Sequence, residues 1–255
     1  VKRTAWKLVR RLRRHANGDP VLLRIAATLA HCDRRHRCLD PACPQCNRAV
    51  QRIMVRMIAA FQQAHPELGP WRVLSLILPP IDWATSLDIG TAWSHYATVL
   101  RQAGITLGIF GIDLSFNEDD RRALDEAARF QPHACLHVYG LAPADEIKAA
   151  DAFLKRHVPA TEAIRRPVRS TLFDGNLAAP AYAFKPDPIR RQTILRDKPG
   201  RANPVRDTRD RPLTVEQQLQ TVRALDEAGI GGRILLLGLR LASIPAGPSG
   251  PELRA

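Results

Sequence analysis

Phe130-Gln131-Pro132-His133-Ala134-Cys135-Leu136-His137-Val138-Tyr139-Gly140 lies at the middle of the chain and sets the pattern for what surrounds it. Its apolar run and small residues predict a buried strand. Side chains of a strand alternate between faces, so His133, Cys135 and His137 share one side, and Ala134, Leu136 and Val138 share the other. The second set supplies packing. The first set is two imidazoles and a thiol, an unusual core filling. It reads either as satisfied core residues or as ligands of a metal held across a sheet.

Outward from that strand, residues 71–78 and 105–116 before it and 167–173 after it have strand character, the first stopped by Pro79-Pro80. Helical patterns fall over 84–103, with Gly104 as the stop, and over 145–156. A shorter one spans 119–129. This alternation predicts an α+β fold: a central antiparallel sheet with helices on one face. Residues 179–191 carry Tyr182. A Pro/Arg-rich, poorly patterned stretch covers 198–211, and Thr214-x-x-Gln217 is a capping box opening a helix that ends at Gly229. Residues 234–241 can add a last strand, and 245–255 are expected to be a disordered tail. The expected organisation is 1–70, a basic helical segment with a cysteine loop; 71–197, the sheet core; and 198–255, linker, helix, edge strand and tail.

The formal net charge is +13 over 255 residues, and its distribution is uneven. Residues 1–56 hold 14 Lys/Arg against three Asp, a surplus of +11. Cations concentrated in this way favour a polyanion partner, because each one set against a phosphate releases counterions. Residues 1–31 read as a basic helical lead-in on Trp6, Leu8, Val9 and Leu12, interrupted at Asn17-Gly18-Asp19-Pro20. A helix over 47–64 has Val50, Ile53, Met57 and Phe61 on one side and Arg48, Arg52 and Arg56 on the other. Arg11, Arg13 and Arg14 are further phosphate-binding candidates. No apolar run is long enough to span a bilayer, and the basic N-terminus lacks the apolar core of a signal peptide. A cytoplasmic protein with no membrane partner is expected.

Four of the five cysteines cluster as Cys32-x5-Cys38-x4-Cys43-x2-Cys46. Four thiolates at that spacing suit a closed tetrahedral Zn²⁺ site, which would be structural because no coordination position stays open. Disulfides fit poorly with a chain that shows no sign of export.

Four motifs in order carry a family resemblance: Cys43-Pro44-Gln45-Cys46-Asn47-Arg48, Gly111-Ile112-Asp113-Leu114-Ser115, the His133–His137 strand, and Tyr182-Ala183-Phe184-Lys185. Together they resemble the rolling-circle replication initiators of plasmids and phages, within the HUH endonucleases. The resemblance implies a ferredoxin-like sheet core. It also implies catalytic Mg²⁺ or Mn²⁺ on Asp113 and the histidines, Tyr182 as nucleophile, Lys185 as its stabiliser, and Arg190 and Arg191 as DNA contacts. The substrate would be single-stranded or hairpin origin DNA, with a helicase as a possible partner. The family strand has one residue between its histidines, whereas three separate His133 from His137 here. Either His133 and His137 bridge a wider site, or Cys135 and His137 form the pair, which would shift metal preference towards Zn²⁺. A competing class is a non-enzymatic zinc-containing DNA-binding protein built on the basic N-terminal region and a degenerate sheet.

Overall fold

The computed structural model describes residues 2–77, 79, 81–82, 87–119, 121–242 and 252–254. Three helices come first: α1 (Lys2–His15), α2 (Pro20–Ala30) and α3 (Pro44–Ala64). α1 buries Ala5, Leu8, Val9 and Leu12 on one stripe, and Trp6 stands outside it, 51% exposed. α2 starts where the sequence breaks: Asp19 caps it by accepting from the Val21 and Leu22 amides at 2.8 and 3.1 Å, and Pro20 sits at its first position. Asp19 also meets Arg223, and Arg24 meets Asp226, which ties this helix pair to a later one.

The sheet begins with β1 (Trp71–Ile77) and the short β2 (Ile81–Asp82). Then follow α4 (Ile89–Gln102), β3 (Gly108–Glu118), β4 (His133–Pro143), α5 (Ala144–His157) and β5 (Val168–Leu172). The strand order is β5-β1-β4-β3, every neighbouring pair antiparallel. That is the β-α-β-β-α-β arrangement of ferredoxin-like sheets. α4 begins at Ile89, capped by Asp88, rather than at 84, and residues 84–86 lie outside the described part. Gly104 ends it at φ +84°, as expected for a C-terminal stop.

Beyond this core come α6 (Ala178–Ala183), β6 (Ile189–Arg196), β7 (Val205–Arg211), α7 (Val215–Ala228) and β8 (Ile234–Leu237). β3 is long enough to hold two partners on its free edge. β6 runs parallel to its end, with Ser115 opposite Ile189, and β8 runs antiparallel to its beginning, with Gly108 opposite Leu237. The parallel pair is the exception in a mostly antiparallel sheet. β7 gives order to part of the stretch that reads as unpatterned, and the boundary expected at 198 falls inside the β6–β7 hairpin. The capping box of Thr214 and Gln217 forms. In place of a helix over 119–129 there is one 3₁₀ turn at Glu126–Ala128. The tail expected from 245 lies outside the described residues except for β10 (Glu252–Arg254), which pairs with β9 (Arg240–Ala242).

Alternation along the strands splits the sheet into two unlike faces. Leu74, Leu76, Phe110, Ile112, Leu114, Leu136 and Val138 face one core, shared with α1, α2, α4, α5 and α7. Leu8, Val9 and Leu12 of α1 and Leu22, Ile25 and Leu29 of α2 are thus part of that core. The other face carries Val73, Ile109 and Leu141 at one end, packed on Met54, Met57 and Phe61 of α3 and Ala183 of α6. This corrects the expectation of helices on one face only. The apolar stripe of α3 covers the apolar end of the second face.

Gly111 is what lets α6 lie on the sheet. A Cβ built at this residue falls 1.9 Å from the Ala183 carbonyl oxygen, a backbone atom that cannot step aside. Gly111→Ala should therefore cost about 1–3 kcal/mol by overpacking and lower the melting temperature by several degrees. Gly231→Ala, whose added methyl meets open space, should leave melting nearly unchanged. Equal melting of the two variants would refute this packing role.

Candidate functional site

The polar part of the second face begins where the cover of α3 and α6 stops. β3 and β4 place Asp113 directly opposite His137, Ser115 opposite Cys135 and Asn117 opposite His133. β1 places Ser75 opposite Tyr139 and Ile77 opposite His137. α6 ends over this row and supplies Tyr182, and the turn after it supplies Lys185. Parallel pairing of β6 brings Arg191 opposite Asn117.

These side chains converge. The Arg191 guanidinium donates to the Tyr182 hydroxyl at 2.9 Å and lies 4.0 Å from Asp113 Oδ2. Lys185 Nζ is 3.5 Å from the same carboxylate oxygen and 5.8 Å from the centre of the Tyr182 ring. The ring of His137 lies 6.2 Å from that of Tyr182, and Tyr139 packs edge-on against Tyr182 at 4.8 Å. His137 Nε2 is 2.8 Å from Ser75 Oγ. Within this group two buried atoms, Asp113 Oδ1 and His137 Nδ1, have no hydrogen-bond partner. Unpartnered polar atoms are costly in a low-dielectric interior, and here two stand on paired strand positions.

The surroundings set the charge of each group. Burial pushes the His137 imidazole down to about 4, although Asp113 pulls the other way, so the ring is neutral at pH 7. Burial pushes the Cys135 thiol up to about 11, which keeps it protonated. Tyr139 is raised too, first by burial and then by Tyr182. Arg233 is half-buried and spans the site from behind. Its Nε donates to the Ile112 carbonyl and its Nη2 to the Lys185 carbonyl, both at 2.8 Å. It thereby ties the strand bearing Asp113 to the turn bearing Lys185.

His133 is not brought into this group. It stands opposite Asn117, two rows along the sheet, with Nδ1 2.9 Å from the Gln131 carbonyl oxygen and Nε2 3.3 Å from Asn117 Nδ2. Four strand residues span about 13 Å, so a cation centred on His137 is out of its reach. Cys135 lies between the two rows, facing Ser115. Of the expected arginines, Arg191 is in the site, while Arg190 is held by Glu118 at 3.2 Å, Arg48 by Asp187 at 3.3 Å and Arg11 by Gln218 at 2.7 Å. Arg13, Arg14, Arg52 and Arg56 are exposed.

A groove of about 360 Å³ opens over His137, Tyr139, Tyr182 and Ser75, and its rim carries Arg166, Arg169 and Arg191. Arg166, Arg169, Ser75 and Arg233 went unnoticed in the sequence. Arg166 just before the strand at 168–172 and Arg169 within it were the one signal that could have drawn attention to the first two.

The second cluster is the cysteine loop. The Sγ atoms of Cys32, Cys38, Cys43 and Cys46 all lie within 4.8 Å of one another, with closest separations of 3.5–3.6 Å. Four sulfurs around a zinc at about 2.3 Å form a tetrahedron with edges of about 3.8 Å. The free thiols are therefore spaced as ligands and not as disulfides. Cys43 caps α3 and Cys46 sits in its first turn, with Pro44 between them. Gln45 donates to the Cys32 carbonyl at 3.1 Å and closes the loop. Hydrogen bonds from Cys43 and then its neighbours pull the Cys46 thiol down to about 5, and burial pushes Cys38 up to about 12. One thiolate shared among thiols is a state that a cation relieves. These four side chains could bind a metal such as zinc.

Comparison of the chain with protein-family models, with curated proteins and with solved structures finds no match. Among the described residues, no helix is long and apolar enough to cross a membrane.

Two measurements check this geometry. Elemental analysis of protein purified without chelator should find about one zinc per chain, lost in Cys43→Ser or Cys46→Ser together with local order; a zinc-free native protein would refute the ligand assignment. For His137, the unfolded chain binds a proton near 6.5 and the folded chain only near 4. Stability should therefore be full above pH 6.5 and fall as pH drops towards 4, by on the order of 3 kcal/mol. In His137→Gln that part of the acid slope in urea unfolding should disappear.

Proposed function

We propose that this chain is a nicking-and-joining enzyme for single-stranded DNA of the HUH type, acting in rolling-circle replication. The observation that carries this reading is the meeting of Tyr182, Arg191, Lys185, Asp113 and His137 on one sheet face below an arginine-rimmed groove. Phosphodiester cleavage by a phenol needs a nucleophile that can carry negative charge, and a cationic surface for the phosphate in flight. Both are present within a few ångströms.

In this reading the DNA backbone lies along the groove, its phosphates met by Arg166 and Arg169. The Tyr182 oxygen attacks phosphorus. The Oη–P bond forms as the P–O3′ bond breaks, leaving a 5′-phosphotyrosine and a free 3′-hydroxyl that takes its proton from water. Arg191 holds the phenol oxygen in place and sets a cation beside it, and the phenol proton leaves to solvent as the oxygen attacks. Lys185 faces the same side and can move from Asp113 to the phosphate. The unpartnered Asp113 Oδ1 and neutral His137 Nδ1 are the atoms that would hold a divalent cation such as Mg²⁺ or Mn²⁺. When bound, that cation supplies Lewis-acid withdrawal of charge from the phosphate. Ser75 holds the other nitrogen of His137, the usual outer contact of a ligating imidazole. Cytoplasmic DNA, a helicase partner and an origin hairpin belong to the same reading.

The separation of His133 from Asp113 favours a second reading, a zinc-containing DNA-binding protein whose sheet no longer cleaves. One experiment separates them. With Mn²⁺ or Mg²⁺ the purified chain should nick single-stranded DNA and stay covalently attached to the 5′ side. Tyr182→Phe should abolish the adduct while leaving DNA affinity within about twofold, and His137→Ala should lose cleavage at least about 100-fold. Cys135→Ser and His133→Ala should retain most activity, since neither reaches the paired atoms. An adduct that persists in Tyr182→Phe moves the nucleophile elsewhere. No adduct from the parent chain with either metal leaves the non-cleaving reading.

A further inference from the structure

A second cavity lies far along the chain from Tyr182, between α1 and the cysteine loop. It measures about 230 Å³ and is lined by Trp6, Val9, Leu29, His31, Asp33 and Gln45 among others. Its size suits one flat ring more than the ~300–1,000 Å³ of drug-sized ligand sites. Trp6 is the one aromatic side chain among the described residues that stands mostly in solvent, 51% exposed, while the apolar stripe of its own helix is buried. Packing alone gives no reason for an indole there, since Ala5, Leu8 and Val9 already fill the helix contact.

Charge surrounds this indole on two sides. α1 contains no acidic residue, and Lys7 and Arg10 follow Trp6 at positions i+1 and i+4, so Arg10 stands one turn further on the same face. On the loop side, Asp33 turns the chain by accepting from the Arg35 and His36 amides, both at 2.7 Å, and this presents Arg34 and Arg35 to solvent. None of Lys7, Arg10, Arg34 and Arg35 has an acidic partner among the described residues. An exposed aromatic face set in unpaired cations, beside a cavity with polar groups on its wall, is the equipment with which proteins hold unpaired bases: stacking for the base, cations for the backbone.

We infer that Trp6 and the cavity beside it form a binding site for a base of single-stranded nucleic acid, with Lys7, Arg10, Arg34 and Arg35 on the flanking phosphates. The site is independent of the groove at Tyr182 and of whether that groove cleaves. A duplex offers no free base to stack, so the site discriminates strand state and not sequence. His31, Asp33 and Gln45 line the wall against which the ring edge would sit.

The test uses the full chain in a Tyr182→Phe background, so that covalent capture at the groove adds nothing. Oligo(dT), the matching RNA oligonucleotide and a blunt duplex of equal length are titrated against tryptophan fluorescence and against anisotropy of an end label. Single strands should quench tryptophan emission, and the additional Trp6→Phe change should remove most of that quench while keeping affinity within about threefold. Trp6→Ala should weaken single-strand binding roughly 5- to 100-fold, the range of one lost stacking contact, with duplex affinity held within about twofold. Quenching of either strand through Trp6 supports the site, and the tighter of the two names its source. Unquenched Trp6, a quench that survives in Trp6→Phe, or equal losses on strand and duplex would overturn it. Zinc content and circular dichroism monitor folding. If Trp6→Ala is unfolded, the quench difference between parent and Trp6→Phe still decides.

Discussion

Asp113 and His137 meet because β3 and β4 pair them directly across the sheet. Strand side chains alternate, so a one-residue slip of β4 against β3 would turn His137 into the apolar core and set Leu136 or Val138 beside Asp113 in the groove. The register is held from the apolar side. Phe110, Ile112, Leu114, Leu136 and Val138 must all face inward together, and Tyr96 fixes them by donating to the Leu136 carbonyl at 2.6 Å. A packing requirement on one face thus becomes a chemical arrangement on the other. The polar face then carries a buried carboxylate with three cationic side chains, Lys185, Arg191 and Arg233, around it. One negative charge among three positive ones leaves a surplus suited to an incoming anion.

Much of this was legible in the sequence because it rests on period and punctuation. Period two over 133–138 identified the central strand and assigned Ala134, Leu136 and Val138 to the core. Asp19-Pro20, Gly104 and the Thr214/Gln217 box marked helix ends that formed as read. The cysteine spacing located a cluster whose sulfurs do gather. Local signals of this kind do not depend on what the chain packs against.

The features that escaped depend on distant partners. Nothing local in Met54, Met57 and Phe61 says which face of a sheet they will cover. The edge of β3 is divided between β6 and β8, and no pattern in either strand announces it. His133 shares a face with His137, as alternation requires, but sharing a face fixes a direction and not a distance. Two rows of strand separate the rings, and Asn117 and Gln131 already occupy the nearer one. Arg233 was invisible for the same reason. It follows two glycines in an unremarkable turn, and its role exists only once two carbonyls from residues 112 and 185 lie beside it.

Arg233 also dates the site in the life of the chain. Asp113 and Tyr182 leave the ribosome well before it, as do β1, β3, β4 and β5. The brace between the Ile112 and Lys185 carbonyls arrives only with residues 229–237, when β8 inserts along the start of β3. Synthesis proceeds from the N-terminus and segments pack as they emerge. A nascent polypeptide therefore holds Ile112 and Lys185 for some time without the brace between their carbonyls, which residues 229–237 supply.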